Sequence, residues 1–134
     1  KPVKGFLGTI LPPNKDQKVK TIDEIKVEDY IILVLPGGVK AMEKVRQEKK
    51  IINFISNFDK QKRIIACICS GAQLLISAKV VKGRKIAGYY SMADDLINAG
   101  AIYTDEPAVI DENIVTTAHY KDMGPWMREV VRKI

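Results

Sequence analysis

The stretch Arg63-Ile64-Ile65-Ala66-Cys67-Ile68-Cys69-Ser70-Gly71-Ala72-Gln73-Leu74-Leu75 decides how this chain is read. An apolar run stops at a cysteine, and a helix-like pattern begins directly after it. Such a junction reads as a strand, a sharp turn and a helix. A residue on that turn projects from the end of a sheet, where the first free N–H groups and the positive dipole end of the helix favour a thiolate. The plain alternative is that Cys67 and Cys69 are both small buried hydrophobes, a common fate of free cysteine. On these residues alone the two readings stand side by side.

Upstream, Ile31-Ile32-Leu33-Val34-Leu35 is a second continuous apolar run, closed by Pro36-Gly37-Gly38. It reads as a strand buried on both faces and followed by a turn, which implies a parallel sheet. From Ala41 to about Phe58, Val45, Ile51, Ile52, Ile55 and Phe58 recur at partly helical spacing among charged residues, which predicts one amphipathic crossover helix. The Ile64–Ile68 strand and a helix from Ser70 through about Lys79 complete a βαβα order. Further on, Lys85-Ile86-Ala87 predicts a short strand, and Met92 to Ala99 a helix that Gly100 caps in the left-handed region. Short strands are expected near Ala101-Ile102-Tyr103, Ala108-Val109-Ile110 and Ile114-Val115-Thr116, with Asp111-Glu112-Asn113 as the turn between the last two. The closing run from Met123 to Ile134 predicts a docking helix with Trp126, Val130, Val131 and Ile134 on one side. In the opening thirty residues only Phe6 to Leu11 has strand character, and Pro12-Pro13-Asn14-Lys15-Asp16 marks a loop. The strand ending at Leu35 is therefore expected to leave an exposed sheet edge.

The chain has 134 residues, of which 46% are hydrophobic and 28% charged, enough for one compact core. No apolar run is long enough to span a bilayer, so no membrane association is expected. The formal charge of +6 invites a nucleic-acid reading, but the lysines are dispersed among acids and no basic block with interleaved aromatics occurs. No nucleic-acid partner is expected either. Cys67 and Cys69 are only two residues apart on an extended strand, so a disulfide between them would be strained, which favours a reducing, cytoplasmic setting. Lys1-Pro2-Val3-Lys4-Gly5 lacks the apolar core of a secretory signal.

These landmarks together resemble the PfpI-like intracellular proteases of the ThiJ/PfpI family, in the class I glutamine-amidotransferase-like superfamily. They are Leu33-Val34-Leu35-Pro36-Gly37-Gly38, the Ala66–Gln73 elbow, Gly83-Arg84-Lys85 leading to Tyr89, Asp94-Asp95-Leu96-Ile97-Asn98-Ala99-Gly100, and Trp126-Met127-Arg128-Glu129. The resemblance spans about residue 5 to the end. It implies an α/β, flavodoxin-like three-layer sandwich with a mainly parallel sheet, as one domain over residues 1–134. It also implies that Cys69 is the nucleophile, Cys67 an apolar strand residue, and the backbone N–H groups of Gly38 and Ser70 the oxyanion donors. A glycine turn such as Gly37-Gly38 lets a peptide N–H approach, and the N–H just after a nucleophile points where negative charge develops. Read without the family, Gly37-Gly38 is a tight turn after a strand.

The sequence departs from the family's pattern at two places. Family proteases carry histidine directly after the cysteine; here Ser70 stands there, and a hydroxyl is no imidazole base near neutral pH. Family members also begin with a strand and helix whose glutamate hydrogen-bonds the cysteine sulfur, so the chain is expected to be N-terminally incomplete. Glu43 aligns with a glutamate that the family lends across a subunit interface, which implies a homo-oligomer; its plainer reading is a first-turn helix carboxylate. His119, the only histidine, lies just past a strand in a loop that borders the cysteine pocket in the family, and could supply the missing base or face solvent. Tyr89 aligns with a pocket residue, or packs at a strand end. No cofactor and no metal site is expected.

Two functions compete. One is a cysteine-dependent hydrolase acting on a peptide, an amide or a small reactive aldehyde, with Cys69 attacking the carbonyl. The other is a non-proteolytic stress or redox protein in which Cys69 is oxidised. A third possibility is a regulatory chain that binds a partner through its unpaired edge.

Overall fold

The computed structural model describes residues 3, 4, 10–12 and 14–134. Val3–Lys4 (β1) and Ile10–Leu11 (β2) pair antiparallel; the expected strand character between Phe6 and Thr9 lies outside the described residues. The main body follows as Ile32–Leu35 (β3), Val39–Val45 (α1), Lys49–Lys60 (α2), Ile64–Ile68 (β4), Ala72–Ser77 (α3), Lys85–Ile86 (β5), Ala93–Asn98 (α4), Ile102–Tyr103 (β6), Val109–Asp111 (β7), Ile114–Thr117 (β8) and Met123–Val131 (α5). The central sheet has the order β3-β4-β8-β7; β3, β4 and β8 are parallel, and β7 returns antiparallel beside β8. A separate pair, β5 and β6, is also parallel.

Alternation along β4 builds three layers. Ile65 and Cys67 point into the larger core with Ile55 and Phe58 of α2 and Leu74 and Leu75 of α3, while Ala66 and Ile68 point to the opposite face, under Trp126 and Val130 of α5. This is the three-layer α/β architecture that the apolar runs and the resemblance lead one to expect. Both faces are closed by aromatic anchors: Phe58 is fully buried, and Trp126 is buried with its indole N–H donating to the Val115 carbonyl at 3.0 Å. Removing such a ring costs about 3–5 kcal/mol. Arg84 ties the end of α2 to the start of β5, pairing with Asp59 at 2.7 Å where both side chains are largely buried.

Several expectations need correction. The single helix read over 41–58 is two helices, α1 and α2, separated at Arg46–Glu48. The apolar stripe explains the break, because between Val45 and Ile51 no hydrophobic residue falls at helical spacing. The helix read from Ser70 begins instead with a 3-10 turn, Cys69–Gly71, and α3 ends two residues before Lys79, which adopts φ 58. Val131 and Ile134 are exposed, so only Trp126 and Val130 of the closing run reach the core. Gly100 has φ 90, as a left-handed cap requires. Among the described residues β3 pairs on one side only, and Ile31 and Val34 are exposed beside it.

The parallel direction of β3, β4 and β8 brings three loops to one edge of the sheet: Pro36–Gly38, Cys69–Gly71 and Ala118–Tyr120. In open α/β sheets that carboxyl edge is where ligands bind.

Candidate active site

Cys69 is the first residue of the turn that leaves β4, half-buried, with φ 60. A side chain in the left-handed region costs about 1–2 kcal/mol relative to glycine, so the neighbours must hold it there. Its carbonyl accepts from the Tyr89 N–H at 3.2 Å. On the other flank the glycine loop leans against it. A Cβ added at Gly37 would lie 2.8 Å from the Cys69 Cβ, 3.1 Å from its Sγ and 3.3 Å from the Ser70 nitrogen. Only glycine allows that approach. Gly38 has φ +108 and stands at the start of α1, its carbonyl accepting from the Met42 N–H at 2.9 Å.

Ser70 is buried, and its Oγ lies 3.7 Å from Cys69 Sγ, within hydrogen-bonding reach of sulfur. Its backbone N–H belongs to the opening turn, where N–H groups have no acceptor within the helix. Gly71 is as tightly placed as Gly37: an added Cβ would meet the Leu35 carbonyl oxygen at 2.7 Å, that of Pro36 at 2.9 Å and Cys67 Sγ at 3.0 Å. Cys67 is therefore packed beneath the turn, fully buried, and burial pushes its thiol well above the ordinary range, with the neighbouring Cys69 adding to the rise. The two cysteines are both free.

His119 stands just past β8, half-buried, and its Nδ1 accepts from the Lys121 N–H at 3.2 Å. A neutral ring so engaged carries its proton on Nε2. The ring lies 4.0 Å from that of Tyr120 and 6.4 and 6.5 Å from those of Tyr89 and Tyr90, centre to centre. Lys121 Nζ sits 6.0 Å from the Tyr90 ring centre. Tyr89 thus links two loops: its N–H holds the Cys69 carbonyl and its ring meets the histidine. Glu43 is exposed on α1. Among the described residues its carboxylate makes no hydrogen bond or ion pair, and its backbone carbonyl accepts from Gln47 Nε2 at 2.8 Å.

Three features of the site escaped the sequence reading. Thr116, fully buried on β8, accepts from the Ala87 N–H through its Oγ1 at 2.8 Å, and so fastens the segment leading to Tyr89 onto the sheet. Gly88 permits close packing there, since an added Cβ would lie 2.9 Å from Leu96 Cδ1 and 3.0 Å from Ala72 Cβ. The dipeptide Gly88-Tyr89 between a strand and a helix was the available signal. The aromatic rim of Tyr90 and Tyr120 had none, because its members come from distant loops.

A three-layer α/β fold with a left-handed cysteine at the carboxyl end of a central strand has the geometry of a nucleophile elbow. The matching family model is that of the DJ-1/PfpI family, over residues 1–133, and the chain belongs to that family. Deglycase PfpI of Pyrococcus furiosus is 42% identical over 112 residues, covering 84% of this chain and 67% of that protein. General stress protein 18 of Bacillus subtilis is 34% identical over 110 residues, covering 81% of this chain and 63% of that protein. Among solved structures, DJ-1beta of Drosophila melanogaster superposes with a TM-score of 0.83 at 20% identity, covering 99% of this chain and 69% of that one, a likeness of fold alone. The chain spans about two-thirds of the length of the curated relatives it matches.

Proposed function

We propose that this chain carries the nucleophile of a cysteine-dependent hydrolase acting on carbonyl compounds, of the deglycase kind named for the Pyrococcus relative. The single observation that carries this reading is the backbone of Cys69: a non-glycine residue kept at φ 60, between the Gly37 wall and the Tyr89 N–H. Strain of this kind is retained where a side chain must be aimed.

In the proposed reaction the Cys69 thiol gives its proton to water, its sulfur adds to the substrate carbonyl carbon and the π pair of the C=O bond moves to its oxygen. The N–H groups of Gly38 and Ser70 receive that negative charge. Peptides, amides and small aldehydes share this step. In an amide or ester the pair on oxygen re-forms C=O as the leaving group departs with a proton from water, and a second water hydrolyses the thioester to return the thiol. His119, with Nδ1 accepting from the Lys121 N–H, presents Nε2–H and so serves as a hydrogen-bond donor rather than as the base. Ser70 occupies the position next to the nucleophile and contributes a hydrogen bond to sulfur, not proton abstraction. Glu43 faces outward, which suits a role at the Cys69 of a second copy in a homo-oligomer. The free thiols fit a reducing cytoplasm.

The test is turnover of methylglyoxal, a p-nitrophenyl ester and a peptide panel by the parent chain and by Cys69→Ser. Equal turnover by both would overturn the proposal. Mixing Cys69→Ser with Glu43→Gln should restore activity that neither has alone if the site is shared between copies; a mixture as inactive as its components argues against sharing.

A second reading, reversible oxidation of Cys69 in stress, is favoured by the contrast between a half-exposed Cys69 and a sealed Cys67. Intact-mass and peptide mapping after graded peroxide decide it. Oxidation spread evenly over both cysteines contradicts a sensing role.

A further inference from the structure

Ala87 is buried at the point where the chain leaves β5, and its N–H donates to Thr116 Oγ1 at 2.8 Å. Thr116 is fully buried on β8, an inner strand of the central sheet, in register with Cys67 of β4. Two residues beyond Ala87, the Tyr89 N–H donates to the Cys69 carbonyl at 3.2 Å. Gly88 leaves little slack between these two bonds, because a Cβ there would lie 2.9 Å from Leu96 Cδ1 and 3.0 Å from Ala72 Cβ. A hydroxyl inside the sheet is thereby linked to the peptide that follows the nucleophile.

That peptide has two polar ends. Its carbonyl belongs to Cys69 and its N–H to Ser70, and in a planar trans unit the two point in opposite directions. Holding the carbonyl toward Tyr89 therefore aims the Ser70 N–H away from Tyr89. The Ser70 nitrogen is on the flank of the Gly37-Gly38 loop, 3.3 Å from where a Cβ at Gly37 would stand. We infer that Thr116 is a positioning residue: its buried hydroxyl, through Ala87 and Tyr89, fixes the rotation of the Cys69–Ser70 peptide and with it the aim of the Ser70 N–H at the oxyanion. Such a donor works only when it is held in place beforehand, and losing one costs about 100- to 1,000-fold in kcat. This role rests on the hydrolytic reading of Cys69; the tether itself does not.

The test compares Thr116→Val, which keeps the shape and removes the acceptor, with Thr116→Ser, which keeps the acceptor. The readouts are p-nitrophenyl ester turnover, iodoacetamide alkylation mapped to Cys69, and the amide NMR shifts of Ser70 and Tyr89. Alkylation displaces iodide at a saturated carbon and needs no oxyanion donor, so it reports the thiol alone. In Thr116→Val kcat should fall by about tenfold or more, with KM and the alkylation rate within about twofold and both amides shifted. Thr116→Ser should stay within about threefold of the parent. Full turnover in Thr116→Val overturns the inference, and so does an equal loss of turnover and alkylation, which would mean general damage to the elbow. If Thr116→Val fails to fold, Tyr89→Pro takes its place, since Tyr89 at φ −52 accepts proline and gives up the N–H bonded to Cys69. Tyr89→Ala then accounts for the missing ring, and Tyr89→Pro should turn over about tenfold more slowly than it; equal rates overturn the inference. A parent chain without turnover removes the hydrolytic reading only. The tether is then decided by the amides: shifts in Thr116→Val that Thr116→Ser lacks uphold it, and unmoved Ser70 and Tyr89 overturn it.

Discussion

Cys67 and Cys69 stand two residues apart at the same strand end. Cys67 is inside β4, in register with Leu35 on one side and Thr116 on the other, its sulfur covered by Gly71. Cys69 has left the ladder, turned through φ 60 and reached the carboxyl edge of the sheet. The alternation of a strand would send both side chains into the α2–α3 core; the left-handed turn sends the second one elsewhere, and it packs beside the α5 face instead. What separates an inert thiol from an addressable one is thus a single backbone torsion, together with the two glycines that make room for it.

Four measurements would break or sharpen that contrast. The largest expected effect is on alkylation of the folded protein by iodoacetamide at neutral pH, which should fall by about a thousandfold or more in Cys69→Ser, because Cys67 is neither exposed nor ionised. Rapid labelling at Cys67 in that variant would erase the distinction. Next, Gly71→Ala drives a methyl against two fixed carbonyl oxygens and should destabilise the fold by about 3 kcal/mol in urea titration. A loss of less than about 1 kcal/mol would mean that the cover over Cys67 yields easily.

The third measurement is pH dependence. Burial raises the Cys67 thiol in the folded state above its unfolded value, so the folded chain keeps a proton that the unfolded chain gives up. The stability this contributes is intact below the unfolded value near about pH 8.5, and it declines above it by about 1.4 kcal/mol per pH unit. Cys67→Ala should remove that part of the alkaline slope; an unchanged slope would place its origin elsewhere. The smallest effect belongs to Ser70→Ala, which deletes one weak contact to sulfur and should slow alkylation of Cys69 by about fivefold at neutral pH. Faster alkylation would show that the hydroxyl takes a proton from the thiol's surroundings rather than lending one.

Much of the fold was legible because its two long parallel strands are continuous apolar runs and their closing turns contain glycine. The parallel sheet, the βαβα succession and the Gly100 cap followed from apolar runs, periodicity and turn chemistry; the three layers came with the resemblance, and the order of the strands is a tertiary fact. The division between α1 and α2 did not, since it lies in a polar stretch where neither proline nor glycine marks a boundary. Val131 and Ile134 were misplaced because a hydrophobic stripe shows which side could be buried, not where the sheet beneath it stops. Within the site, the sequence presented two cysteines and no means of choosing between them except the resemblance. The torsion at Cys69 and the reach of Tyr89 to its carbonyl are tertiary facts. The ring cluster around His119 joins it to Tyr89 and Tyr90, about thirty positions away, and no local pattern encodes that.

The closeness of Gly37 has a stereochemical consequence. One flank of the Cys69 sulfur is walled by the glycine loop, so an electrophile is hindered from that side. On the proposed reading, that wall makes the two faces of a prochiral aldehyde unequal as it meets the sulfur, so one handedness of the adduct carbon is favoured. Racemic covalent probes should be resolved by this protein, one enantiomer being consumed while its mirror image stays in solution.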